Sequence, residues 1–176
     1  GQPMATVQVV GLPATVQGYW SLWQISLAAD GRTRRRYLPV FVNDAGRSFV
    51  PTARRVWDLL LTEEVVVVGS VVGDPAVAAF EASLEAARVN GERVFQELAT
   101  DNLNRVREER ERAEYAFDAR RQAVGRLGLP AVREHRLKRL TQEHAARLAA
   151  LDQGVTAMPD LHAVLMVRVD ATGGRA

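Results

Sequence analysis

The chain has 176 residues, of which 47% are hydrophobic and 25% are charged, and it contains no cysteine. Disulfides and thiolate metal sites are therefore excluded, and the length suits one domain. No run of eighteen apolar residues and no basic-then-apolar amino terminus occurs, so we expect no membrane span, no secretory signal and a cytoplasmic location. We also expect the chain to be a fragment of a larger protein.

The first third of the chain reads as strands. Residues 6–10 predict a short strand, and residues 19–28 and 36–43 predict a β-hairpin rich in aromatic and branched side chains. Pro39 cannot donate a ladder hydrogen bond, so the second hairpin strand is expected at a sheet edge or at a bulge. The predicted turn, residues 31–36, holds four arginines: Arg32, Arg34, Arg35 and Arg36. They would grip phosphates, solubilise a loop or pair with Asp or Glu elsewhere in the chain.

The next elements predict a core. Thr52 is expected to cap a helix that runs to about Leu61 and buries Trp57. Residues 65–68 and 71–72 are so rich in valine that they predict a buried strand. Residues 161–169 predict the last strand, and residues 171–176 a frayed tail.

A long helical hairpin is predicted for residues 74–153. Asp74 and Pro75 suit a helix start, and Gly128 with Pro130 suits a left-handed C-cap followed by the start of a return helix. The pair Asn90-Gly91 is the weak point at which the first helix could kink or break. Apolar residues at helical spacing predict an antiparallel seam with these members: Leu103, Val106, Ala113, Phe117, Val124, Leu127, Leu137, Leu140, His144, Leu148 and Leu151.

These elements predict an α+β fold: a small, mostly antiparallel sheet with a packed helix, and a long inserted antiparallel helical hairpin that forms a coiled-coil-like arm. Residues 1–73 would form the sheet and its helix, residues 74–153 the hairpin, and residues 154–176 the strand that returns to the sheet, all within one domain.

Charge is distributed unevenly along the chain. The net charge is +2, yet residues 105–147 hold 12 basic and 7 acidic side chains, which leaves −3 for the remainder. Interleaved charges on a helix are typical of a solvated face with ion pairs, and they also fit an electrostatic footprint for nucleic acid. Both interpretations stay open at this point.

No catalytic residue, cofactor site or metal site is predicted. The glycines and serine of residues 69–73 lack the lysine of a phosphate-binding loop. His135 and His144 are nine residues apart, so they do not lie on one helix face, and His162 falls in a predicted strand. The glutamates of residues 108–114 alternate with arginines, which favours a solvated face over acid–base chemistry.

The order of elements resembles the carboxy-terminal region of bacterial Swi/Snf-type, RapA-like helicase-related ATPases. The likeness rests on Leu38-Pro39, on Phe49-Val50-Pro51-Thr52, on the helix around Phe80, and on the hairpin that leads into Leu161-His162-Ala163-Val164-Leu165-Met166-Val167. In that family the motor lies in two upstream RecA-like lobes, and none of their nucleotide-binding motifs occurs here. The resemblance therefore implies a module that is not itself an enzyme.

The implied function is that of an accessory module that positions a DNA-dependent motor on duplex DNA or on a transcription complex, with phage-defence helicases as another possible parent. Its partners would be upstream ATPase lobes of the same polypeptide, duplex DNA or RNA polymerase. The alternative is a protein-interaction or oligomerisation arm that pairs with a second chain through exposed apolar residues such as Leu103, Val106 and Phe117. The candidate nucleic-acid contacts are Arg32, Arg34, Arg35, Arg36, Arg105, Arg107, Arg110, Arg112, Arg136, Lys138 and Arg139.

Overall fold

A computed structural model describes residues 3–170, so the expected frayed tail lies outside the described residues. Its elements are β1 (Met4–Val9), β2 (Gly18–Ala29), β3 (Arg32–Asn43), α1 (Val50–Thr62), β4 (Val65–Val71), α2 (Asp74–Gly125), α3 (Pro130–Val155) and β5 (Asp160–Val169). The strands form one sheet in the order β3-β2-β5-β1-β4. In the described residues β1 and β5 pair in parallel, whereas β1 with β4 and β2 with β5 pair antiparallel. The predicted α+β fold with a mostly antiparallel sheet and a long helical hairpin is confirmed.

The chain divides into two compact units. The first comprises residues 3–26, Arg35–Phe95 and 160–170 of the described chain, and it holds most of the sheet, α1 and the first part of α2. The second comprises Leu27–Arg34 and Gln96–Pro159, which are the β2–β3 turn region, the rest of α2, and α3. The boundary between the units therefore falls inside α2, β2 and β3.

In the first unit, β2 supplies a tryptophan to each face of the sheet. Trp20 packs in one cluster with Val56 of α1, and its indole Nε1 donates a 2.9 Å hydrogen bond to the Ala53 carbonyl. Trp23 packs in a second cluster with Ala87 of α2, and its ring lies 5.7 Å from that of Phe80. Because successive strand residues point to opposite faces, side chains of this one strand pack against α1 on one face and against α2 on the other.

Helix α2 continues through Asn90-Gly91, where the sequence allowed a kink or break. A Cβ atom at Gly91 would lie 3.0 Å from Ile25 Cδ1 and 3.1 Å from Leu38 Cδ2. Glycine at this point therefore lets the helix approach the sheet closely, and the packing offsets its weak helix propensity.

The start of α1 differs from the prediction. Phe49 is the N-cap and makes no side-chain cap bond, and Pro51 occupies the first turn, so the helix begins before Thr52. Proline is pre-organised for that position, which explains why Thr52 is not the cap. Trp57 is half-buried against the α1 cluster and does not lie at its centre.

The valine-rich segment is a strand, but it is not buried. β4 is an edge strand of the sheet, and Val66, Val67 and Val68 are 48%, 67% and 48% exposed. Branched apolar side chains favour a strand wherever it lies, so their pattern does not distinguish a central strand from an edge strand. β3 forms the opposite edge, as Pro39 predicted.

The reversal between α2 and α3 is built without a left-handed glycine. Gly128 has no positive φ, and a Cβ atom placed on it would meet nothing within 4 Å. The end of α2 tightens instead, because the N–H groups of Arg126 and Leu127 donate to carbonyls three residues earlier. The predicted C-cap at Gly128 was wrong, whereas Pro130 does begin α3.

One exposed ion pair joins β5 to the turn after β3. Arg168 donates from Nη1 and Nη2 to the two carboxylate oxygens of Asp44, at 2.7 and 3.1 Å, and its guanidinium lies 5.1 Å from the centre of the Tyr19 ring. The hydrogen bond from Arg168 holds the pKa of Asp44 below its ordinary value of 3.8.

We expect glycine replacements at two positions to differ in effect. Gly91→Val should destabilise the fold by about 1–3 kcal/mol, because the new side chain overlaps Ile25 and Leu38. Gly128→Val should change stability by no more than about 0.5 kcal/mol, because the site is open and its φ is not positive. Urea unfolding measures both, and equal losses would contradict the close approach at Gly91.

The Asp44–Arg168 pair predicts a pH dependence. A lowered folded pKa stabilises the protein above the unfolded pKa, and this contribution is lost as pH falls through the folded value. Wild type should therefore be more stable than Asp44→Asn at neutral pH, and the difference should shrink below about pH 4. Thermal unfolding across the acid range tests this, and a difference that stays constant down to about pH 2 would refute it.

Candidate nucleic-acid interface

The four arginines of the predicted turn lie in strand β3. The turn itself is only Asp30-Gly31, whose φ angles of 52° and 69° are those of a type I′ hairpin. All four side chains are exposed, and Arg34 Nη1 lies 3.5 Å from an Asp101 carboxylate oxygen. The interpretation of residues 31–36 as a loop was wrong, because a two-residue turn already suffices to reverse the chain.

In the second unit, arginines at the base of the hairpin are neutralised by carboxylates. Arg105 lies 2.9 Å from Glu109 and 3.9 Å from Asp30. Arg147 of α3 contacts the same two acids, at 2.9 and 3.6 Å. Glu109 therefore accepts a hydrogen bond from each of the two arginines, whereas Asp30 forms longer ion pairs with both, and the network joins α2, α3 and the β2–β3 turn.

Asn102 anchors the same region from the inside. Its side chain is 3% exposed, and its Nδ2 donates a 2.8 Å hydrogen bond to the Gly154 carbonyl near the end of α3. Its Oδ1 accepts from Arg105 Nη2 at 3.1 Å. The amide thus satisfies a buried carbonyl and orients the arginine that meets Glu109 and Asp30.

Several other arginines that were predicted to contact nucleic acid already have partners within the protein. Arg110 forms an ion pair with Asp152, Arg139 Nε lies 3.0 Å from Glu143, and Arg107 donates to Asn104 Oδ1 at 3.3 Å. Within residues 3–170, the remaining candidates form no ion pair and point into solvent: Arg32, Arg35, Arg36, Arg112, Arg136 and Lys138.

The hairpin is polarised in charge along its length. Residues 119–139, around the reversal, hold seven basic side chains and one acidic side chain, Glu134, for a net charge of +6. The rest of the hairpin in this unit, residues 96–118 and 140–159, holds five basic and nine acidic side chains, for −4. The distal basic side chains are Arg120, Arg121, Arg126, Arg133, Arg136, Lys138 and Arg139.

Four of these seven, Arg120, Arg121, Arg126 and Arg133, were missed by the sequence analysis. Arg121 lies 3.6 Å from Asp118, and Arg133 Nη1 lies 3.4 Å from the Leu127 carbonyl. Arg120 and Arg126 are exposed and form no ion pair in the described chain. Counting charge in a window centred on the reversal would have found them, because the helix pairing places both sides of that window together.

Phe117 and His144, both predicted members of the seam, contact each other. The ring of His144 stacks on Phe117 with a centroid distance of 4.2 Å, beside an open cavity of about 340 Å³ that Leu140 also lines. Val106 is buried, whereas Leu103 is half-exposed. The prediction of His144 as a seam residue is confirmed.

The other two histidines of the sequence lie in different elements. His135 is exposed on α3, and His162 lies on β5 with Nε2 3.1 Å from Asp160. Across residues 3–170, no three or more His, Asp or Glu side chains are grouped so that they could hold a metal ion. In the same residues, no helix combines the length and apolar character needed to cross a bilayer.

Comparison of the chain with protein-family models, with curated proteins and with solved structures gives no match. The geometry and charge of the hairpin therefore carry the functional proposal.

We expect Asn102→Ala to destabilise the protein by about 1–3 kcal/mol, because the Gly154 carbonyl and an Arg105 N–H group lose their partner in a buried setting. Asn104→Ala is the matched control, since this exposed amide bonds only Arg107, and its effect should stay within about 0.5 kcal/mol. Urea unfolding of both variants gives the comparison. Equal effects would mean that Asn102 does not anchor the base.

Proposed function

We propose that this chain is a non-catalytic accessory module of a nucleic-acid-dependent, helicase-like ATPase, and that the distal end of its hairpin contacts the phosphate backbone of duplex DNA. The observation that carries the proposal is the charge of +6 on residues 119–139, set against −4 on the base of the same hairpin. With this charge distribution, only the distal end of the hairpin attracts polyanions.

The ion pairs also distinguish the base of the hairpin from its distal end. At the base, Arg105, Arg110 and Arg147 are held by carboxylates and have little capacity left for phosphates. Around the reversal, Arg120, Arg126, Arg136 and Lys138 point into solvent with no carboxylate partner in the described chain. Long cations that are free to move can follow a phosphate backbone without reading its sequence.

The alternative, an arm that pairs with a second chain through apolar residues, has less support. Two of the three residues that would carry it, Val106 and Phe117, are used inside the hairpin, where Val106 is buried and Phe117 stacks on His144. Leu103 is half-exposed, and Tyr115, Leu129 and Val132 are also exposed on the hairpin. Exposed apolar residues are ordinary on a protein surface, so they do not by themselves indicate a partner chain.

The proposal predicts a specific salt dependence. The triple variant Arg126→Ala, Arg136→Ala, Lys138→Ala should bind duplex DNA more weakly by the same factor for unrelated sequences. Each lost phosphate contact should also reduce the slope of log K against log salt by about one. Fluorescence anisotropy of labelled duplexes over a range of salt concentrations measures both quantities.

The matched control removes three exposed arginines from the other unit, Arg47→Ala, Arg54→Ala and Arg55→Ala. It makes the same change in net charge, so a simple loss of overall positive charge would weaken both variants alike. If wild type binds neither duplex nor single strands at low salt, the nucleic-acid function fails for this module. If the control loses as much affinity as the distal variant, the site lies elsewhere.

A further inference from the structure

The two edges of the sheet are built differently. β3 carries four exposed arginines and Pro39, features that natural sheets use to prevent strands from pairing at an edge. β4, with the sequence VVVVGSV, holds no charged residue and no proline, and four consecutive valines are exposed. Only the β4 edge is therefore open to another strand.

The backbone of β4 is paired on one side only. β1 pairs with it antiparallel from Met4↔Val71 to Val9↔Val65, and no strand of the described residues lies on its other side. About half of the N–H and C=O groups of an edge strand point away from its neighbour, which leaves roughly three of each for an incoming strand. Exposed valines on both faces would pack beside the alternate side chains of that strand.

The ends of β4 indicate the charge of the partner. Glu63 and Glu64 precede the strand and Asp74 follows it, and all three are exposed. In an antiparallel pair of two β4 strands, the glutamates of one copy would approach Asp74 of the other, and this like-charge contact disfavours a second copy. A strand with basic residues at both ends would instead meet opposite charge at each end of β4.

A bulge limits the length of the partner strand. The register between β1 and β4 shifts between Thr6 and Val7, so that Val68 is an extra residue on β4. Bulges increase the local twist of an edge, and this twist favours a short partner strand over a long flat ladder.

We propose that the outer edge of β4 is a docking site for a partner protein, which adds a short apolar strand flanked by basic residues to the sheet. The backbone groups of β4 supply the hydrogen bonds, the exposed valines supply apolar contact, and the flanking carboxylates select the basic residues.

The test uses a labelled, end-blocked peptide of alternating threonine and valine with two arginines at each end. We expect saturable binding to the full chain in fluorescence anisotropy. The same peptide with glutamates at its ends should bind about five- to tenfold more weakly, because two rim ion pairs are replaced by repulsion. A peptide that is N-methylated at alternate residues should not bind, because it cannot complete the ladder.

The protein variant is Val67→Lys, which places a charge on the most exposed valine of β4, and we expect it to lose at least about tenfold in peptide affinity. Val89→Lys, which changes an exposed valine of α2, is the matched control and should bind as wild type does. Hydrogen exchange on the wild-type protein should show that the arginine-flanked peptide protects β4 amides, a result that does not depend on how either variant folds.

Three outcomes would overturn the proposal. The first is the absence of β4 protection, and the second is equal affinity for the arginine-flanked and glutamate-flanked peptides. The third is a wild-type dimer in sedimentation that Val67→Lys dissociates, since it would assign the edge to a second copy of this chain. None of these outcomes bears on the DNA affinity of the hairpin, so this proposal and the proposed function fail independently.

Discussion

The alternation of side chains along β2 is the constraint on which the first unit depends. Trp20 and Trp23 point to opposite faces of the sheet, and each is matched by a helix: α1 on one side and the first part of α2 on the other. Moving the strand by one residue would exchange the two faces and leave both tryptophans in the wrong cluster. The hydrogen bond from Trp20 to Ala53 and the space made by Gly91 fix how the two helices lie on the sheet.

The second unit combines an apolar seam with an ionic network at the base of the hairpin. Its seam is thin, with Val106, Leu151 and the Phe117–His144 stack as its main apolar contacts, and the base is joined by Arg105, Arg147, Glu109 and Asp30. Partly buried pairs at the base can hold their geometry, whereas isolated surface pairs contribute little. Because most of the acidic residues of the hairpin lie at the base, the distal end keeps an excess of positive charge.

The two proposed surfaces would use different physics. The distal end of the hairpin presents exposed cations, which would suit a regular and sequence-independent array of phosphates. The edge of β4 presents fixed backbone groups between valines, which suits one extended chain with a defined register. A module that carries both could hold DNA through one unit and a partner protein through the other.

The chain itself determined the elements that depend on local interactions. Helical spacing and Pro130 predicted the hairpin, alternation predicted the strands, Pro39 predicted an edge, and together they gave the α+β fold. The tertiary structure decided what depends on neighbours distant in sequence. In the folded protein the valines of β4 lie at an open edge, and Gly91 allows α2 to pack closely on the sheet. Gly128 does not adopt a left-handed conformation, and only some of the arginines lie close enough to carboxylates to form ion pairs. Burial and ion pairing depend on which segments of the chain contact each other, so the sequence of one segment alone does not determine them.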